Sequence, residues 1–209
     1  MKSWRMLVAA LAIPLSSRHG WEDLSFRRIQ ANKTEFSSSG LQITVDSSAS
    51  PLVYRISSTA IISAIQAEIE IQGGHLNGKS DFPEDSYLRI GLVSPGPRTL
   101  GFWERQTAAE WVRRLFALAP KGLGIDRIYF FNLTDSRYRI GQQRILPQSQ
   151  DLIEEQIMAL RPSGQNKISI NYKLPRPLPT AALWLSSDGD DTKSSYVIKI
   201  KKLILDTIN

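Results

Sequence analysis

A mainly β protein, an antiparallel β-sandwich of jelly-roll type with one or two helical insertions, is the fold class this sequence predicts. Three observations point to it. Short runs in which apolar and polar residues alternate recur along the chain, Ser-, Pro- and Gly-rich breaks separate them, and only two stretches carry helical spacing.

Leu41-Gln42-Ile43-Thr44-Val45 alternates with the period of a strand that buries one face. Ser47 to Pro51 makes a turn-rich break, and Leu52 to Ile56 then repeats the pattern. From Ile61 to Ile71 the residues Ile65, Ala67, Ile69 and Ile71 share one face, with Gln66, Glu68 and Glu70 on the other, and Gly73-Gly74 ends the run. Tyr87 to Val93 reads as a strand stopped by Pro95-Gly96-Pro97. Thr107 to Ala119 places Ala108, Trp111, Val112, Leu115 and Leu118 along one helical stripe, closed by Pro120 and Gly122. Ile125 to Leu133 is a strongly apolar strand. Ser149 to Leu160 reads as a second helix, with Leu152, Ile153, Ile157 and Leu160 on its apolar side and Asp151, Glu154 and Glu155 near its positive end. Lys167 to Leu174 and Tyr196 to Lys201 alternate again. Strand, helix, strand across 87–133 would suit a parallel βαβ unit, but the alternation elsewhere favours antiparallel pairing with one wet face.

The chain has 209 residues, enough for one domain with a real core, and its 42% hydrophobic and 22% charged content is that of a soluble globular protein. The net charge is +6, but the basic residues are dispersed in pairs such as Arg27-Arg28 and Arg113-Arg114. No stripe or module for nucleic acid emerges, so no nucleic-acid partner is expected. Met1 to Arg5 is short and positive, Met6 to Leu15 is apolar, and Ser16-Ser17 follows. That order predicts a signal peptide over residues 1–17, a single sandwich domain over 18–209, and a periplasmic or secreted bacterial protein. The apolar run is too short for a stable membrane span. With no cysteine, disulfides, thiol nucleophiles and thiolate metal sites are excluded.

The densest chemistry lies at Asp188-Gly189-Asp190-Asp191-Thr192. Like charges this close repel unless a cation, a donor or water receives them. Asp188, Asp190 and Asp191 are therefore candidate ligands for a hard cation such as calcium, although the spacing and terminal Glu of an EF-hand are missing. The plainer alternative is a solvated turn whose Asp and Thr side chains cap local backbone groups. A second acidic loop, Asp81 to Asp85, would lie at the same end of a sandwich. Asp81, Asp85 and Asp188 are accordingly candidate ligand-binding residues. Trp103, in an irregular stretch between strand and helix, is the candidate aromatic platform for a sugar, whereas Trp111 and Trp184 suit the core. Trp21 and Phe26 would pin the N-terminal segment to the sandwich. With two histidines and no G-x-S-x-G elbow, P-loop or H-E-x-x-H, no conventional catalytic set is present.

Four segments together resemble a family of uncharacterised, mostly exported bacterial proteins, a domain of unknown function related in fold to galactose-binding jelly rolls. They are Gly20 to Phe26, Asp46 to Leu52, the acidic Asp81 to Asp85 leading into Tyr87 to Val93, and Leu183 to Leu205. In the last, Ser187 to Thr192 stands where that family carries D-x-D-[DN]-T before a closing strand. The resemblance implies fold and export rather than an activity. The expected function is a non-catalytic envelope protein that binds a glycan or another envelope component. A carbohydrate-active hydrolase using Asp85 with Asp188 or Asp190, and an assembly protein without a small ligand, are the alternatives.

Overall fold

A computed structural model describes residues 8–146, 149 and 151–208. Its strands begin with β1 (Val8–Ala12), β2 (Trp21–Asp23), β3 (Lys33–Ser37), β4 (Gly40–Asp46), β5 (Ala49–Gly73) and β6 (Leu88–Gly96). Two short helices follow, α1 (Phe102–Thr107) and α2 (Glu110–Ala117). The chain then continues through β7 (Gly124–Asp135), β8 (Gln143–Ile145), β9 (Ile153–Arg161), β10 (Lys167–Asp188) and β11 (Ser195–Ile208). The fold is mainly β, a sandwich with helical insertions, as expected.

Two long strands generate the layers. The far half of β5 pairs with β11 and the first half of β10, while its near half pairs with β2 and the last residues of β10. One layer is therefore β3-β4-β11-β5-β10, with β1 alongside β4 on the edge of β11, and the other is β5-β10-β6-β7-β9-β8 with β2 on β5. Both strands change layer at register shifts between Lys173 and Leu178 and between Thr180 and Ala182. Pro175 and Pro177 sit in the first shift, lacking the N–H that a central strand position needs, and the exposed Ser57, Ser58 and Thr59 fall at the second, between the partners of Thr180 and Ala182. The runs read as separate strands over 52–56 and 61–71 are thus one bent strand.

Inner faces of both layers supply one core. Ile43 and Ile198, register partners in one layer, and Ile90 and Leu185, register partners in the other, belong to the same buried cluster. On β5 the alternation predicted from sequence holds, with Ile65, Ala67, Ile69 and Ile71 buried. Trp21 is buried against Tyr54 and Phe36, with ring centroids 5.2 and 6.0 Å away, and its indole donates to the Pro14 carbonyl at 2.7 Å. Ile13 and Leu15, within the segment expected as a leader, are buried in this core as well. The positive start of that segment, residues 1–7, lies outside the described residues.

The second layer is buried on both sides. A second cluster on its outer face joins Val93, Ile128, Phe130, Ala182 and Trp184 to Leu115 and Leu118 of the α2 segment. This explains why β7 is apolar almost throughout: Ile128 to Thr134 is buried without alternation. β6 and β7 pair antiparallel despite the helices between them, as the alternation elsewhere suggested.

Three expectations differ from the structure. The segment read as a helix from Ser149 to Leu160 forms β9 instead, paired parallel to β7 and antiparallel to β8. Its register slips between Asn132 and Leu133 of the partner, so Ile157 and Met158 are both buried, in different clusters. That slip breaks the two-residue period and leaves apolar spacing that mimics a helix. The parallel β7–β9 pair also makes the sheet mixed rather than wholly antiparallel. The predicted 107–119 helix is shorter, and Ala108 and Ala109 separate it from α1.

An aromatic and acidic cleft as the candidate functional site

The cleft is built on the outer face of the second layer. Register places Gly91 of β6 between Phe130 of β7 and Trp184 of β10, and Arg89 between Asn132 and Ser186. A Cβ on Gly91 would lie 2.7 Å from the Phe130 ring and 3.0 Å from the Trp184 Cβ. Only glycine therefore lets these rings meet edge to face, at 5.8 Å. Leu115 and Leu118 anchor the α2 segment to the sheet, and Trp111, one turn before Leu115, packs edge-on to Trp184 at 5.9 Å. Phe26 extends the row, 6.2 Å from Trp111.

Polar residues replace apolar ones toward the other end of the same face. Arg89 Nε lies 3.1 Å from Asp188 Oδ2 and 3.7 Å from Glu155 Oε1, and Arg89 also donates to the Glu84 carbonyl at 2.5 Å. Glu155 takes a second cation, Arg144, at 2.6 Å, and Arg144 stacks over Phe82. The row Asp188, Arg89, Glu155, Arg144 alternates in sign across β10, β6, β9 and β8. Glu155, read as a helix-dipole carboxylate, is instead this buried partner.

The two acidic loops are joined directly. Asp85 Oδ2 accepts from the Thr192 backbone N–H at 2.7 Å and from its hydroxyl at 2.6 Å. Thr192 and Ser194 hydroxyls are 2.7 Å apart, and Ser194 Oγ donates to the His75 carbonyl. Ser194 N–H closes the turn on the Gly189 carbonyl at 2.9 Å. Gly189 is required for closeness rather than for a left-handed backbone: a Cβ would lie 2.7 Å from the Ser194 oxygen, and Lys193, at φ 54°, makes the left-handed bend.

Between the aromatic row and these loops lies a cavity of about 220 Å³, bounded by Trp111, Trp184, Asp85, Arg89, Asp188 and Asp190, with Glu84 and Asp191 at its rim. Burial pushes the Asp188 carboxyl up to about 6, with Arg89 opposing and Asp85, Asp190 and Glu155 adding to the rise. Burial also raises Asp190, reinforced by Asp191 and Asp85. Burial works against the charge on Arg89, but Asp188, Glu155 and Asp85 outweigh it and hold the guanidinium above its ordinary value. Asp85 Oδ1 and Asp188 Oδ2 have no hydrogen-bond partner, the latter because its ion pair with Arg89 lacks donor alignment.

Of the residues singled out from sequence, Asp85 and Asp188 come together in the cleft and Asp190 and Asp191 border it. Asp81 lies outside, exposed, with its carbonyl accepting from Gln142. Trp103, 77% exposed on α1, contacts Phe102 and lines no part of the cleft. Among the described residues no group of three or more His, Asp or Glu side chains is arranged to hold a metal ion. Asp188 faces Arg89 instead. Trp111 and Trp184 pack in the second cluster as expected and also wall the cleft. Arg89 and Glu155 escaped the sequence reading, though an arginine inside the apolar run Tyr87 to Val93 was a signal for a buried partner.

No family model matches the chain, and no curated protein matches it. Among solved structures it is similar to β-sandwich carbohydrate-binding modules. A family 29 carbohydrate-binding module aligns with a TM-score of 0.42 and 10% identity over 96% of this chain and 92% of that one. Another family 29 module, from Piromyces equi, gives 0.41 and 7% over 96% and 91%, and a xylan-binding module of family 15 gives 0.41 and 9% over 95% and 96%. Likeness at that level identifies neither family nor ligand. No helix among the described residues is long and apolar enough to cross a membrane.

Proposed function

We propose that this chain is a non-catalytic, exported binding protein whose cleft takes one ring of a glycan. The observation that carries the reading is the meeting of stacked aromatic walls and five carboxylates in one cavity. Sugar C–H faces pack on rings such as Trp111, while hydroxyls donate to the exposed carboxylates Glu84 and Asp191. The cavity is below the roughly 300–1,000 Å³ of pockets for larger organic ligands, which suits a single ring rather than an engulfed chain.

One observation favours hydrolysis, namely Asp188 held near 6 across from Asp85. Against it, both carboxyls are committed inside the protein, Asp188 to Arg89 and Asp85 to Thr192, and each is at most 5% exposed. A glycosidase acid must reach the leaving oxygen and its partner must reach the ring or a water. Export rests on the N-terminal pattern. The packing of Ile13 and Leu15 argues that an exported form keeps residues 8–15, which N-terminal sequencing of the secreted protein tests.

A glycan array followed by titration calorimetry tests the binding reading. The native chain binds at least one oligosaccharide, and Trp111→Ala, still folded by circular dichroism, weakens it by an order of magnitude. Retained affinity in that variant, or an array without signal, would sink the reading. Released sugar products would overturn its non-catalytic part.

A further inference from the structure

We propose that the ring this cleft takes carries a free amino group, so that the ligand is a cationic amino sugar rather than a neutral or N-acylated one. The inference rests on the glycan reading above and sharpens its chemistry.

Five carboxylate side chains line the cavity, Glu84, Asp85, Asp188, Asp190 and Asp191, against a single basic one, Arg89. That arginine is already shared between Asp188 and Glu155. Lys193 lies close by but donates to the Asp190 carbonyl and is not among the lining residues. The lining therefore carries an excess of negative charge that its one arginine does not offset. One of its carboxylates, Asp85, is 2% exposed and keeps Oδ1 without a hydrogen-bond partner, whereas Asp188 Oδ2 faces Arg89 Nε at 3.1 Å. The upward displacement of Asp188 and Asp190, caused by burial and then by their acidic neighbours, records the same repulsion.

A neutral hydroxyl would donate to one of these carboxylates and leave the charge in place. An ammonium brings three donors, no acceptor and a positive charge, which fits a cavity whose polar lining is almost all acceptors. Trp111 and Trp184 add ring surfaces on which a cation is attracted beyond ordinary packing. N-acetylation would remove the charge and most of the donors and add a carbonyl facing carboxylates, an unfavourable exchange. A bare divalent ion meets no suitable group of three ligands among the described residues.

Calorimetric titration of the full chain with glucosamine oligomers and N-acetylglucosamine oligomers of equal length tests this, at low and at high salt. The glucosamine oligomer is expected to bind at least tenfold more tightly. The advantage should shrink at high salt and in an Asp190→Asn/Asp191→Asn double variant, whose rim positions lie outside the Arg89 ion-pair row. Equal or tighter binding of the N-acetylated oligomer overturns the amino assignment while leaving the glycan reading standing. A linear diamine that binds as tightly as the glucosamine oligomer overturns the sugar part. Failure of both oligomers, with calcium producing the only thermal shift, overturns this inference and the glycan reading together.

Discussion

On the outer face of the β3-β4-β11-β5-β10 layer, Glu68 and Glu70 meet Lys202, Lys201 and Lys167 at 2.6–3.9 Å with side chains 24–85% exposed. On the outer face of the other layer, Arg89, Glu155 and Asp188 pair at 3.1–3.7 Å with side chains 2–19% exposed. The residue chemistry is the same and the surroundings are not. Water screens the first set, so those pairs keep the face soluble and are individually weak. The second set has lost its water, so each charge depends on its protein partners, and removing one strands the others. The proposed recognition site lies on the second face, where the charges are held in place by their protein partners.

Breaking the buried set should have the largest effect. Arg89→Met leaves Asp188 and Glu155 without their shared cation and is expected to cost about 3–5 kcal/mol in denaturant unfolding. Adding Asp188→Asn should recover part of that loss, and full additivity would contradict the coupling.

The next largest is a pH effect. The folded-state value of Asp188, about 6, lies above the ordinary 3.8, so the folded chain holds this proton more tightly than the unfolded chain. Its contribution is present in full below about pH 4 and is lost as pH rises through about 6, by up to about 3 kcal/mol. Asp188→Asn should flatten stability across that window when melts are run pH by pH; an unchanged profile would count against the buried carboxyl as its source.

Asp85→Ala removes the acceptor for two Thr192 bonds and leaves a half-buried N–H unpaired, an expected loss of about 1–2 kcal/mol. Faster amide exchange at Thr192 should accompany it. On the solvated face, Lys201→Ala should leave the melting curve within error of the native chain at moderate salt. Glu70, held below its ordinary value chiefly by its hydrogen bond to Lys201, should titrate higher in that variant, visible by NMR.

The solvated face was the legible one. Where one side of a strand meets water, burial writes the two-residue period directly into the sequence, as at Ile65 to Ile71 and Leu41 to Val45. The second layer is covered on both sides and its strands lose that signature. A register slip then gave Ile153 to Leu160 the spacing of a helix. The meeting of the acidic loops could be anticipated from the sandwich, since both precede strands at one end. Its consequences could not. The Arg89 partners Glu155 and Asp188 are 66 and 99 positions away, and only lateral strand order makes them neighbours. Likewise Trp103 looked more available than Trp111, but α2 turns the second into the cleft and α1 leaves the first in solvent.

The crossing of β5 and β10 between layers has a consequence for how the molecule comes apart. A protease cut in the helical connection at 97–123 would sever no rung of either ladder between β5 and β10. A cut at Ser57 to Thr59 falls where one strand passes from the first layer to the second, and it divides a chain that both layers share. The sheets cannot be unzipped in turn, because each is the continuation of the other. Unfolding is therefore expected to take both layers together, as coincident loss of signal from Trp21 in the core between them and Trp184 in the outer cluster would show.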